Sequence, residues 1–232
     1  MQLRQRAGYP RPPQLQFARQ RGEKSEAHPL PAKADKMRHY MQLTKLIAAS
    51  GNEGKIKEIV KIFKGVEIIP MHDAGFEGDI EENGQSFREN AYIKAKAVCD
   101  KLGLPALADD SGLCVDYLGG APGIFSARFS GEGPAANRAL LLEKLRGAHD
   151  RRAHFECAVC LCLPDGRKLF GVGQTFGSIL EEERGKHGFG YDCLFYSDDL
   201  KKSFGEASAR EKNKVSHRAR ALYDLMERLK TF

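Results

Sequence analysis

The chain has 232 residues, 41% of them hydrophobic and 29% charged, ordinary values for one large or two small globular domains. No stretch approaches the ~18 uninterrupted apolar residues of a membrane span, which excludes an integral helical membrane protein. The net charge of +6 is uneven: residues 1–42 carry nine basic and three acidic residues, which leaves 28 of each for residues 43–232, so the globular part is neutral and a nucleic-acid-binding reading loses its electrostatic support.

Residues 1–42 hold five of the ten prolines and show no apolar periodicity, the composition of a disordered basic extension. They lack the apolar centre of a secretory signal, and their scarcity of serine weakens a mitochondrial-type reading. A start site assigned too far upstream accounts for them equally well, because Met41 directly precedes the first expected strand. The domain reading is therefore an extension over 1–42 and one domain over 43–232.

From residue 43 the pattern becomes regular. Residues 43–49 read as a short apolar strand, followed by Ser50-Gly51-Asn52-Glu53-Gly54-Lys55 and then by Ile56, Ile59, Val60 and Phe63 at helical spacing. Residues 66–69 read as a second strand. Residues 84–102 read as a helix, opened by the capping box Ser86-x-x-Glu89 and closed at Gly103. A strand over 104–108 is expected to end in Asp109-Asp110-Ser111-Gly112, with another short strand over 113–118. Residues 134–146 read as a helix with Pro134 in its first turn. Strands over 153–163 and 167–180 are joined by Pro164-Asp165-Gly166, a hairpin signal. The loop Gly188-Phe189-Gly190-Tyr191-Asp192 leads into a strand over 194–196, and residues 216–229 close the chain as a helix. Alternating strands and helices around one central antiparallel hairpin predict an α/β domain with a mixed sheet.

The six cysteines fall at 99, 114, 157, 160, 162 and 193. Cys157-x-x-Cys160 begins like a zinc site, but no second Cys-x-x-Cys or His-x-x-x-His follows. The surrounding run reads as a buried strand whose thiols are core residues, and reduced thiols suggest the cytoplasm.

Several constellations could carry chemistry. The turn Ser50 to Lys55 combines two glycines, a helix N-terminus and a cation, the elements of a phosphate cradle, although its spacing is neither Walker A nor G-x-G-x-x-G. Its plainer reading is a strand-to-helix turn. Asp109 and Asp110 sit where open α/β sheets place ligands, and strand alternation should point them in different directions, one to a cleft and one to brace the turn. A cleft aspartate beside phosphates would hold Mg²⁺ or activate water; an Asx turn is the bland alternative. Glu81-Glu82 suits either a helix start or a metal. Phe189 on its glycine-flanked loop could stack on a base, or simply fill a core. Lys212 and Ser216-His217-Arg218 place cations at the start of the last helix, against the helix dipole, a local conflict that favours a ligand.

Taken together, these motifs resemble the inosine/xanthosine triphosphate pyrophosphatase family, house-cleaning enzymes for deaminated purine nucleotides. The resemblance runs from about Lys45 to Leu229. It rests on Ser50-Gly51-Asn52-x-x-Lys55, Glu81-Glu82-x-Gly84-x-Ser86-Phe87-x-Glu89-Asn90-Ala91, Ala108-Asp109-Asp110-Ser111-Gly112-Leu113, Leu118-Gly119-Gly120-Ala121-Pro122-Gly123-Ile124-x-Ser126-Ala127-Arg128, Phe189-Gly190-Tyr191-Asp192 and Ser216-His217-Arg218. It implies Mg²⁺-dependent hydrolysis of ITP, dITP or XTP to monophosphate and pyrophosphate, in a homodimer with an elongated two-lobed α/β fold. Ser50, Gly51, Asn52, Glu53, Gly54 and Lys55 would hold the triphosphate, with Lys94 a further candidate. Asp110 would be proton acceptor and Mg²⁺ ligand, Glu81 the other ligand, and Ser111 a substrate contact. Phe189, Gly190, Tyr191 and Asp192 would embrace the base, and Lys212, His217 and Arg218 would complete the site. Donor-only Arg218 and protonatable His217 would favour a 6-oxo purine over adenine. Ser50 stands where the family often has threonine, and Cys193 where proline commonly follows Tyr-Asp, which leaves the base loop without that stiffening. The alternatives are a pyrophosphatase for another modified nucleotide and a non-catalytic nucleotide-binding module.

Overall fold

The computed structural model describes residues 43–232; the extension expected over 1–42 lies outside the described residues. Seven strands form one sheet in the order β2-β1-β3-β4-β5-β6-β7. They are β1 (Lys45–Ala48), β2 (Glu67–Pro70), β3 (Ala106–Val115), β4 (Arg152–Cys162), β5 (Lys168–Ile179), β6 (Phe195–Ser197) and β7 (Lys202–Ser203). β2, β1 and β3 run parallel, and every other pairing is antiparallel. The helices are α1 (Glu53–Ile62), α2 (Phe87–Leu102), α3 (Pro134–Lys144), α4 (Ala209–Val215) and α5 (His217–Leu229). The architecture is the expected α/β one with a mixed sheet.

Local chemistry explains the helix starts. Asn52 caps α1 by accepting the Lys55 amide at 3.2 Å, Ser86 caps α2 by accepting Glu89, and Ser216 caps α5 by accepting Ala219. The return half of the capping box at α2 is displaced by one residue: Glu89 Oε2 accepts from Gln85 rather than from Ser86. α4 was not anticipated. It has a complete box of its own, Ser208 with Glu211, and it carries Lys212, which therefore lies outside the last helix.

The sheet has helices on both faces. Ala91, Ala95 and Val98 of α2 pack on Ala106, Ala108, Cys160 and Cys162. On the opposite face, α1 and α5 pack Ile59, Ile62, Leu222 and Leu225 on Leu107, Cys157, Val159 and Leu161. The cysteines of β4 are thus buried free thiols of the core, as their strand context predicts. α5 lies unusually close to β5 because that strand presents glycine beneath it. A Cβ at Gly171 would sit 2.2 Å from the Ala221 carbonyl oxygen, and one at Gly173 would sit 2.3 Å from that of His217. The missing side chains set the depth at which the first turn of α5 is seated.

β3 departs from expectation. It does not stop before Asp109-Asp110-Ser111-Gly112 but continues through them to Val115, paired with β4 throughout. The residues 113–118 expected as a separate strand are its end and a following 3-10 turn. Polar residues persist in the middle of this strand because other elements bring partners to them.

Candidate active site

Directly opposed residues of an antiparallel pair share a sheet face. Asp109 is opposite Val159 and faces α1 and α5; Asp110 is opposite Ala158 and faces α2. The two aspartates therefore do point apart, each into a different set of partners.

Asp109 is the centre of an ion-pair network. Its Oδ2 accepts from Arg218 Nε at 3.1 Å and from Ser111 Oγ at 3.3 Å, and lies 3.2 Å from Lys55 Nζ. Arg218 is 1% exposed; its Nη2 donates to Ser111 Oγ at 3.0 Å and its Nη1 to Glu58. Glu58 also lies 3.3 Å from Lys212 Nζ, which donates to Asp192 at 2.7 Å. Burial alone would raise the Asp109 pKa, but the Arg218 guanidinium, with Lys55 behind it, holds the carboxyl far below the usual carboxylate range. Burial likewise opposes ionisation of Glu58, and Arg218 and Lys212 overcome it. Arg218, at the start of α5, and Lys212, on α4, thus have counter-charges in Asp109, Glu58 and Asp192, which answers the dipole conflict read from the sequence. Asp109 Oδ1 is buried with no hydrogen-bond partner among the described residues.

Across the sheet, Asp110 accepts from Asn90 Nδ2 at 3.0 Å, and its Oδ1 lies 3.6 Å from Lys94 Nζ. Lys94 also reaches Glu82 Oε1 at 3.1 Å. Asn90 Oδ1 accepts the Gly84 amide at 2.9 Å, so one side chain ties the acidic loop to the aspartate. Burial raises the Asp110 pKa above its ordinary value, with Lys94 and Lys55 opposing and Glu82 adding to the rise. The acidic residue that the structure brings to Asp110 is Glu82; Glu81, the ligand implied by resemblance, is exposed and has no ion pair with Lys94. Two carboxylates from separate elements share one cation here. Mg²⁺ is commonly held by one or two carboxylates together with substrate phosphates, so this donor set fits it.

The remaining expected residues gather around these centres. Ser50 Oγ accepts the Asn52 amide at 3.1 Å, which shapes the turn that delivers Lys55 to Asp109. In the loop before β6, the Phe189 amide donates to Asp192 Oδ2 at 2.8 Å, and Tyr191 Oη donates to the Ser126 carbonyl at 2.9 Å. The Phe189 ring lies 4.7 Å from Lys212 Nζ and 5.7 Å from Arg218 Cζ. Its edge would be 3.1 Å from a Cβ at Gly54, so the loop touches the Ser50–Lys55 turn. His217 needs correction: it is 4% exposed and stacks on Phe155 at 4.7 Å. Burial, then Arg218 and Lys212, push its pKa well below the ordinary histidine value. The protonated form expected is thus disfavoured, although the neutral ring still carries one N–H donor, and its Nδ1 is buried with no hydrogen-bond partner among the described residues.

Glu58, the bridging role of Asn90 and the hub role of Asp109 were missed in the sequence, which offered Glu81 and Glu82 as a pair without separating them. Glu58 had one available signal: it follows Lys55 by three residues on α1, a spacing that places both on one helix face.

The Ham1 family model matches residues 46–228. A dITP/XTP pyrophosphatase from Desulfotalea psychrophila is 47% identical over 184 residues, covering 78% of this chain and 82% of the relative. Another from Bacillus licheniformis is 44% identical, covering 79% of this chain and 96% of the relative. The solved structure of the Staphylococcus aureus Ham1 protein superposes with a TM-score of 0.74 at 38% identity, over 81% of this chain and 98% of that one. A Coxiella burnetii HAM1 protein gives a TM-score of 0.71, also at 38% identity, over 82% and 98%.

Proposed function

The chain belongs to the Ham1 family, and on that premise we propose that it hydrolyses non-standard purine nucleoside triphosphates, dITP, XTP and ITP, to the monophosphate and pyrophosphate. The observation that carries the proposal is the division of labour between Asp109 and Asp110. One is locked as a counter-ion, and the other is buried, raised in proton affinity and set beside a lysine and a second carboxylate.

Asp110 orients the attacking water and accepts its proton. Lys94 and Lys55 stabilise negative charge on the phosphates and on departing pyrophosphate. Asp110 and Glu82 would hold Mg²⁺, whose chemistry is to neutralise phosphate oxygens. Phe189 stacks on the base over Lys212 and Arg218. Arg218 uses three donors on Asp109, Glu58 and Ser111, and its remaining N–H groups meet a 6-oxo group but cannot pair with a 6-amino group. The assembly implied by resemblance is a homodimer, which light scattering on the purified protein checks.

The test is a panel of dITP, XTP, ITP, dATP and dGTP with and without Mg²⁺, with products separated by ion-exchange chromatography. Pyrophosphate from the three deaminated nucleotides, dependent on Mg²⁺, is expected. Equal turnover of dATP, or orthophosphate as the first product, would refute the proposal.

A further inference from the structure

Arg138 lies outside every motif that marks the site, yet it grips the loop before β6. It stands in the first turns of α3, where its Nη1 donates to the Gly190 carbonyl at 3.2 Å and its Nε donates to Glu183 Oε1 at 2.6 Å. Gly190 has φ +60°, so its backbone is turned sharply at the residue between Phe189 and Tyr191. Glu183 is itself anchored: the next residue, Arg184, donates its amide to the Cys193 carbonyl at 2.8 Å, immediately beyond the loop. The preceding residue of α3 braces the same loop by another path. Asn137 Nδ2 donates to the Ser126 carbonyl at 3.3 Å, the acceptor that Tyr191 Oη also uses. The first turns of α3 therefore hold the loop directly at the Gly190 carbonyl and, through the shared Ser126 carbonyl, at Tyr191.

We infer that Arg138, held in place by Glu183, is a positioning residue that fixes Phe189 to Asp192 in the conformation that receives the purine base. This rests on the proposed role of that loop. A planar guanidinium suits the task because it can bond a carboxylate and a carbonyl at once, in fixed directions. Neither residue touches Asp110, Lys94 or Lys55 among the described contacts, so the effect falls on base capture and not on phosphate chemistry.

The experiment compares wild type, Arg138→Ala, Glu183→Ala and the double variant. The KM for dITP in Arg138→Ala is expected to rise roughly threefold to tenfold, as for loss of a part-exposed charge-assisted hydrogen bond, with kcat within about twofold. Glu183→Ala should raise KM less, and the double variant should match Arg138→Ala, since Glu183 acts through the arginine. Hydrogen exchange of the nucleotide-free protein gives a second readout: amides of residues 188–192 should exchange faster in Arg138→Ala while those of β3 and β4 stay protected. Should Arg138→Ala not fold, Arg138→Lys, which cannot bond both partners in one plane, carries the same measurements. Unchanged loop exchange overturns the inference whatever the substrate proves to be, as does a kcat that falls while KM is constant. Faster loop exchange with no hydrolysis of any nucleotide by the wild type would leave the clamp standing and defeat the proposed function instead.

Discussion

Replacing His217 with phenylalanine should remove part of the protein's sensitivity to mild acid. The imidazole is 4% exposed, stacked on Phe155 and beside Arg218 and Lys212, so the folded protein keeps it neutral far below the ordinary histidine pKa. The unfolded chain protonates the same ring near pH 6.5. Below that pH the unfolded state binds a proton that the folded state refuses, and stability falls as pH falls. Above it both states are neutral and the residue contributes no pH dependence. For one such group the loss between pH 7 and pH 5 is about 2 kcal/mol. Phenylalanine retains the stack and cannot titrate. Urea unfolding at pH 7 and pH 5, at one protein concentration, should show the wild-type midpoint falling by about 1 M more than that of the variant. Carboxylates that titrate in both proteins cancel in this difference. Equal midpoint shifts would show that the folded protein protonates His217 freely, and would refute the buried neutral assignment.

Asp110→Asn should bind dITP with near-normal affinity while kcat falls roughly 10²–10⁴-fold, as for loss of a general base; stopped-time assays beside equilibrium binding check both halves. Gly173→Ala should cost about 1–3 kcal/mol or more in denaturant unfolding, because its methyl would collide with the α5 backbone, and kcat/KM should drop as α5 shifts His217 and Arg218. Glu58→Gln leaves Arg218 and Lys212 buried with less counter-charge, and thermal and denaturant unfolding should show a loss of up to roughly 3–5 kcal/mol.

Elements whose signals are local were legible in the sequence. The N-caps at Ser86 and Ser216, the apolar run of β1 and the strands on either side of Pro164-Asp165-Gly166 all follow from short-range patterns. So did the opposed directions of Asp109 and Asp110, which need only the two-residue repeat of a strand. Facts set by distant partners were not legible. Nothing adjacent to Asp109 announces that Arg218, 109 residues away, will neutralise it. That Glu82 and not Glu81 meets Lys94 depends on the path of the acidic loop, which Asn90 ties down at the Gly84 amide. β3 was cut short for the same reason: four polar or small residues look like a turn until their partners arrive. Position in the chain also misled at Lys212, four residues before Ser216 but on a separate helix.

The register of β3 against β4 carries a lesson about how this chemistry is encoded. Ala106 through Val115 pair with Cys162 through Ala153. Slipping the strand by a single residue would turn each acid to the opposite face, and according to its direction it would set either Asp110 beside the guanidinium or Asp109 beside Lys94. Composition would be untouched, but the surroundings that now raise one carboxyl's proton affinity and lower the other's would act on different residues. Which aspartate can serve as a base is thus decided by odd or even position, and a one-residue insertion or deletion upstream in this strand should abolish turnover even if every acid survives.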